Sequence, residues 1–105
     1  GRFDNLTAKI EQQITGSLNV NELVAESGLT RSHFSREFTK ETGSTPIQFI
    51  MNAKLNKARS LLLNSDKPVK FVAKECGFFD AAHFSRKFKR LTGFSPAVFR
   101  NQGTV

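Results

Sequence analysis

The sequence predicts an all-α protein of about seven helices, arranged as two helix-turn-helix subdomains that a long connecting helix joins. Three observations predict this fold: one motif occurs twice, Thr-Pro and Ser-Pro steps mark two helix starts, and residues 47–63 contain neither Gly nor Pro. We expect residues 1–45 to form the first subdomain, 46–64 the connecting helix and 65–105 the second subdomain.

The repeated motif is the strongest of these observations. Residues 33–49, HFSREFTKETGSTPIQF, align with residues 83–99, HFSRKFKRLTGFSPAVF, and nine of the seventeen positions are identical. Average residue usage would give about one match by chance. Upstream, Gly28 aligns with Gly77 at an offset of 49 rather than 50, so the second copy has gained one residue between Gly77 and His83.

The first unit contains three predicted helices. An opening helix near Leu6 to Thr15 is indicated by apolar residues four positions apart: Leu6, Ile10 and Ile14. Asn19 or Asn21 can cap the next helix, a short one that Gly28 ends in the left-handed conformation.

A longer helix follows in the same unit. Thr30 is its predicted cap, Phe34 and Phe38 mark its buried face, and Gly43 ends it. The second unit repeats the pattern, with a short helix over residues 68–76, a turn at Gly77 and a helix from about Asp80 to Leu91.

Two proline steps mark the remaining helices. Thr45 and Ser95 each place a capping hydroxyl directly before a proline, which is favoured at the first position of a helix. The helix that starts at Pro46 runs to Leu63 and would be a rod of roughly 27 Å. Its apolar residues recur at mostly helical spacing: Ile47, Ile50, Leu55, Ala58, Leu61 and Leu62.

The charge of the chain is uneven. The net charge is +7, yet residues 1–30 carry only two basic side chains against four acidic ones. The positive charge therefore lies in residues 31–105, and it favours binding to nucleic acid, an acidic protein or an anionic membrane surface. No apolar run approaches the roughly 18 residues of a membrane span, so we expect a cytoplasmic protein that is not embedded in a membrane.

A helical wheel distinguishes among these partners. With Phe34 at zero and about 100° per residue, the arc opposite the buried phenylalanines contains no acid. The arc is occupied in the first unit by Ser32, Ser35, Arg36, Thr39 and Lys40, and in the second by Ala82, Ser85, Arg86, Lys89 and Arg90. A small, polar and basic face on the second helix of a helix-turn-helix favours entry into the major groove of DNA.

The sequence resembles the DNA-binding domain of the AraC-type family of bacterial transcription regulators. The matching segments, which cover nearly the whole chain, are GLTRSHFSREF, ETGSTPIQFI, AKLNKARSLL and AKECGFFDAAHFSRKFKRLTGFSPAVFR. The resemblance implies a domain that inserts both second helices into successive major-groove segments on one face of DNA.

The resemblance also implies the residues that contact bases. They are Arg31, Ser32, Ser35 and Arg36 in the first unit, and Ala81, Ala82, Ser85 and Arg86 in the second. The second set departs from the family pattern, since Ala81 and Ala82 can offer only apolar contact, for example to a thymine methyl. Phe79 stands where a small polar residue is common. We therefore expect looser reading by the second unit, with Arg36 and Arg86 as the best candidates for base contact.

Further side chains are candidates for contact with the DNA backbone: Lys40, Thr45, Lys54, Lys89, Arg90 and Ser95. For the lysines and Arg90, an ordinary solvated face is an alternative at least as well supported as contact with phosphate. Thr45 and Ser95 can instead serve only as helix caps, and Arg36 and Arg86 can contact phosphate or form surface ion pairs.

Other chemistries have little support. His33 and His83 lack companions at metal-ligand spacing, and Cys76 is interpreted as a small buried hydrophobe. We expect no metal, no cofactor and no enzymatic activity, because no acid-base constellation or phosphate loop occurs. The leading hypothesis is a sequence-specific binder of double-stranded DNA that works beside RNA polymerase, with a sensor or dimerisation domain outside this fragment. The alternative is a basic helical module for acidic proteins or anionic membranes.

Overall fold

The computed structural model describes residues 1–14 and 18–103, and within these ranges all regular structure is helical. The prediction of an all-α chain with two helix-turn-helix units is confirmed: α2 with α3 forms the first unit, and α5 with α6 the second. The helices are α1 (Asp4–Gln12), α2 (Val20–Ser27), α3 (Arg31–Thr42), α4 (Pro46–Asn64), α5 (Val69–Glu75), α6 (Ala81–Thr92) and α7 (Pro96–Gly103).

Helix α1 differs from its predicted bounds, since it begins at Asp4 and ends at Gln12. The acidic Asp4 side chain in the first turn suits the positive end of the helix dipole. Ile14 is buried although it lies beyond the end of the helix. The four-residue spacing of Leu6, Ile10 and Ile14 therefore extends past the last helical turn. The predicted end, Thr15, lies outside the described residues.

The predicted caps are confirmed, and Asn19 rather than Asn21 caps α2. Each capping oxygen accepts a hydrogen bond from a backbone N–H three residues later, which satisfies one donor that the first turn leaves unpaired. The pairs are Asn19 with Glu22 (3.1 Å), Thr30 with His33 (3.2 Å), Thr45 with Gln48 (3.2 Å), Asp80 with His83 (2.6 Å) and Ser95 with Val98 (3.2 Å).

The repeat is visible in the atomic contacts that end α3 and α6. The Thr42 hydroxyl donates to the Phe38 carbonyl at 2.9 Å, and the Thr92 hydroxyl donates to the Phe88 carbonyl at the same distance. Gly43 and Gly93 follow with φ of 82° and 84°, a conformation that glycine adopts without the steric cost of a Cβ. Identical residues therefore build identical helix ends.

Each unit has its own hydrophobic core, and α4 contributes to both. Ile50 lies in the first core, whereas Leu55, Ala58 and Leu62 lie in the second. Ile47, which the apolar spacing of α4 included, is 63% exposed although Pro46 before it is buried, because it lies on the outer side of the first turn. The principal extents of the molecule are 45 × 23 × 21 Å, so the two cores lie side by side along its length.

Aromatic rings fill the centre of each core in the same arrangement. Phe34 contacts Phe38 at 5.4 Å between ring centroids, and Phe38 meets Phe49 edge to face at 5.4 Å. The second core repeats this with Phe84, Phe88 and Phe99 at 5.5 and 5.1 Å. In the described part of the chain, no helix combines the length and apolar character that crossing a membrane requires.

Replacing Phe88 by Ala should lower the free energy of unfolding by about 3–5 kcal/mol, because the ring is fully buried and its removal leaves a cavity. Phe79→Ala is the matched control, and it should change that free energy by no more than about 0.5 kcal/mol because Phe79 is 96% exposed. Urea unfolding of both variants measures the difference. Equal losses would contradict the assignment of Phe88 to the core.

Candidate nucleic-acid interface

Helices α3 and α6 present matching faces to solvent. Phe34 and Phe38, like Phe84 and Phe88, are fully buried, so each helix turns its opposite side outward. We call the two outward sides the exposed strips. They consist of Ser32, Ser35, Arg36, Thr39 and Lys40 on α3, and of Ala82, Ser85, Arg86, Lys89 and Arg90 on α6.

The carboxylates of α3 lie off its exposed strip and have partners within the protein. Glu41 accepts a hydrogen bond from the backbone N–H of Phe3 at 3.0 Å. Glu37 lies 3.7 Å from the imidazole of His33 one turn earlier. Helix α6 carries no acid at all, and the Asp80 carboxylate just before it caps the helix. The strips are therefore positively charged without local neutralisation.

Arginine side chains in these helices fall into two groups. The Arg31 guanidinium donates to the side-chain oxygen of Asn21 on α2, which holds it beside the start of α3. Arg36 and Arg86 are exposed, and neither has a hydrogen-bond or ion-pair partner among residues 1–14 and 18–103. Their guanidinium donors are available to an external ligand.

The second unit places alanines where the first has polar side chains. Ala82 is exposed and Ala81 is half-buried, at the positions of Ser32 and Arg31. Ser85 and Ser35 are both half-buried, at equivalent points of their helices. The two strips thus share their arginine and serine but differ in polarity at the start of the helix.

Lys54 differs from the other candidates for DNA backbone contact. Its ammonium donates to the Gly77 carbonyl at 3.4 Å and lies 5.8 Å from the centre of the Phe78 ring. Partial burial lowers the pKa of Lys54 below its usual value. The structure therefore places this ammonium against the turn of the second unit rather than in an exposed strip.

The neighbouring Lys57 has a structural role that sequence reasoning missed. Its ammonium donates to the Ile14 carbonyl at 3.2 Å and to the Glu75 carbonyl at 3.5 Å. One side chain of α4 thereby bonds to backbone from both units. Only the tertiary fold brings these carbonyls together, so spacing along the chain carried no signal for it.

Thr45, Ser95 and the remaining cations complete the predicted set. The hydroxyls of Thr45 and Ser95 accept the capping hydrogen bonds of α4 and α7. Lys40, Lys89 and Arg90 are exposed in the last turns of α3 and α6. The three cations extend the positive charge of each strip toward the end of its helix.

Cys76 lies in the packing of the second unit, as predicted, and His83 also packs there. The His83 ring packs edge to face on Phe78 with centroids 5.8 Å apart. Cys76 is fully buried, and this burial raises the pKa of its thiol to about 11. Among the residues that the structure describes, no three His, Cys, Asp or Glu side chains cluster as metal ligands would.

Comparison with known proteins identifies the family. Residues 23–102 match the family model described as a helix-turn-helix domain. The fold superimposes on an AraC-type transcriptional regulator from Chromobacterium violaceum with a TM-score of 0.89 and 24% identity, over 97% of this chain and 91% of that one. The chain belongs to the AraC-type helix-turn-helix family.

Other members of the AraC-type family are similar over nearly the whole chain. The activator RhaS of Klebsiella pneumoniae is 34% identical over 99 residues, which are 94% of this chain and 36% of RhaS. The MmsAB operon regulatory protein of Pseudomonas aeruginosa is 33% identical over 100 residues, 95% of this chain and 33% of that protein. The chain thus spans about a third of these relatives.

A solved AraC-type structure includes nucleic acid. The DNA-binding domain of the global transcriptional factor AdpA, in complex with a target DNA, superimposes with a TM-score of 0.91 and 31% identity, covering 96% of this chain and 91% of that one. These relatives confirm that the chain is a DNA-binding domain of a transcription regulator and not an enzyme.

The raised pKa of Cys76 predicts a dependence of stability on pH. The folded thiol holds its proton up to about pH 11, whereas the thiol in the unfolded chain has the ordinary pKa of 9.0. Its contribution is thus fully present below pH 9 and is lost as the pH rises through 11. Between these values, urea unfolding should show a larger fall in stability for the wild type than for Cys76→Ala. Parallel pH profiles for the two proteins would contradict this prediction.

Proposed function

We propose that the chain binds duplex DNA sequence-specifically by placing α3 and α6 in successive major-groove segments on one face of the DNA. One observation carries the proposal: the same acid-free strip is exposed on both helices, each time opposite a buried phenylalanine pair. The DNA complex of the AdpA domain, at 31% identity, supports it.

The exposed side chains suit the edges of base pairs. A guanidinium can donate two parallel hydrogen bonds to guanine O6 and N7, which is the commonest specific contact in the major groove. Arg36 and Arg86 are free to do so, and Ser35 and Ser85 are short enough for close approach. In this proposal Arg31 and Ser32 extend the reading by the first unit, and Ala81 and Ala82 offer apolar contact in the second.

The dimensions of α4 support simultaneous binding by both units. Its 19 residues span about 28 Å at 1.5 Å per residue. Successive major-groove segments on one face of B-DNA are about 34 Å apart. A connecting helix of this length can hold α3 and α6 near that separation, and the two hydrophobic cores on α4 keep the units from moving independently.

The other cations bind phosphates in this proposal. Lys40, Lys89 and Arg90, at the C-terminal ends of the strips, contact the phosphate backbone, where their charge releases condensed counterions. Thr45 and Ser95 remain candidates through the N–H groups of the helix starts that they cap. The contacts of the Lys54 ammonium with Gly77 and Phe78 favour a role in positioning the second unit.

The whole protein is proposed to be a cytoplasmic transcription regulator. RhaS is named a transcriptional activator, which favours activation beside RNA polymerase for this chain too. Since the chain spans about a third of its relatives, a sensor or dimerisation domain is proposed in the remaining length. Residues 1–45, 46–64 and 65–105 are the proposed first subdomain, connecting helix and second subdomain. Membrane binding is not favoured, because the apolar faces of α3 and α6 are buried.

Selection from a random pool of duplexes tests reading by two helices. The expected motif has two short elements about one helical turn, or roughly 10 base pairs, apart. Inserting about five base pairs between the elements should reduce affinity to that of one element, because the inserted half turn places the second element on the opposite side of the DNA. A single selected element would show that the second unit does not read sequence.

Arg36→Ala should weaken binding to the selected duplex by about 1–3 kcal/mol and remove the preference at one base position. Arg59→Ala is the matched control, since it removes the same charge from α4, where the guanidinium lies 5.9 Å from the centre of the Phe99 ring and outside both exposed strips. Fluorescence anisotropy with single-base variants of the duplex provides the measurement. Equal loss on every sequence would reassign Arg36 to phosphate binding.

A further inference from the structure

Phe79 is the residue by which the second helix-turn-helix exceeds the first. Both turns begin at a glycine with positive φ, 71° at Gly28 and 81° at Gly77. Both end at a side chain that caps the next helix, Thr30 in the first unit and Asp80 in the second. One residue, Leu29, separates Gly28 from Thr30, whereas Phe78 and Phe79 separate Gly77 from Asp80.

The structure shows which of the two phenylalanines is extra. Phe78 is buried in the second core and packs on Phe84 at 5.1 Å, much as the partly buried Leu29 packs on the first core. Phe79 is 96% exposed. The inserted residue therefore leaves the core and the caps unchanged, and its aromatic ring is exposed to solvent just before α6.

The surroundings of this ring are cationic. Phe79 borders a groove of about 450 Å³ between α5 and α6, whose rim includes Lys70 and Lys74. Both lysines are exposed. The one carboxylate on the groove, that of Asp80, accepts the backbone N–H of His83. The groove thus combines an apolar ring with two positive charges.

This combination fits duplex DNA, because Phe79 lies directly before the N-cap of α6, the helix that carries the second exposed strip. Phosphates can pair with Lys70 and Lys74 while the ring reaches the edge of a base pair. In the major groove, the C5 methyl of thymine is the apolar group that distinguishes one base from the others. Ala81, which lines the same protein groove as Phe79, adds apolar surface there, and Ala82 is exposed at the next position of α6.

We propose that Phe79 is a specificity-determining residue that selects thymine in the second half of the binding site by contacting its methyl group. The inference rests on the proposed function, since α6 must lie in a major groove. It assigns different chemistry to the two units: the first reads hydrogen-bonding edges with Arg31 and Ser32, and the second reads a methyl group at the matching end of its helix.

Replacing thymine by uracil tests the proposal, because uracil keeps the base pair and loses only the methyl. In the duplex selected from the random pool, each thymine of the second element is replaced in turn. For the wild type, uracil at one position should weaken binding about fourfold, which corresponds to the free energy of burying one methyl group. For Phe79→Ala, the same replacement should have no effect.

Matched variants separate this effect from others. Leu63→Ala removes another exposed apolar side chain, at the far end of α4, and should retain the full sensitivity to uracil. Phe79→Ser restores the small polar character and should lose the sensitivity as Phe79→Ala does. Phe79 is almost fully exposed and has almost no packing contact to lose. The urea midpoints of Phe79→Ala and Phe79→Ser should therefore equal that of the wild type.

The remaining outcomes discriminate between the proposals. If the wild type selects no duplex, the proposed function fails and the inference with it. If it selects a duplex in which no thymine of the second element is sensitive to uracil, or if Phe79→Ala stays sensitive, the inference alone is overturned. Equal weakening of all duplexes by Phe79→Ala would indicate a sugar or phosphate contact. Unchanged DNA binding with weakened binding to RNA polymerase would assign Phe79 to a protein partner.

Discussion

The burial of two phenylalanines one turn apart in α3, and of two more in α6, is the constraint on which the interface depends. Phe34 and Phe38 are inaccessible to solvent, as are Phe84 and Phe88. Burial of each side chain contributes about 1.5–3 kcal/mol, so rotating either helix about its axis would be costly. A helix whose inner side is fixed has a fixed outer side as well. Arg36 and Arg86 thus acquire equivalent orientations from contacts in which they take no part.

Helix α4 joins the two similar units by contributing residues to both of their cores. Ile50 packs in the first core, and Leu55, Ala58 and Leu62 pack in the second. The Lys57 ammonium adds hydrogen bonds to the Ile14 and Glu75 carbonyls, one from each unit. Hydrophobic burial along α4 sets the distance between the units. The hydrogen bonds of Lys57 restrain rotation of one unit relative to the other.

Local chemistry explains why most of the fold could be predicted. The caps at Thr30, Thr45 and Asp80 depend on residues three positions apart, and the glycines that end α3 and α6 act within their own turn. The end of α1 was predicted wrongly, and the apolar spacing of α4 did not reveal that Ile47 is exposed, because both depend on where the core lies. The contacts of Lys54 and Lys57 likewise arise only in the folded chain. The base contacts depend on DNA, so their residue-by-residue assignment remains a prediction.

The separation of the two cores has an evolutionary consequence. Phe34 and Phe38 pack in one cluster and Phe84 and Phe88 in the other, so a substitution on the outer side of one recognition helix leaves the packing of its twin intact. Under the proposed reading by both helices, each unit is therefore free to change its target while the other keeps its own. A single substitution on one helix could then produce a regulator whose binding sites keep one half-site and differ in the other.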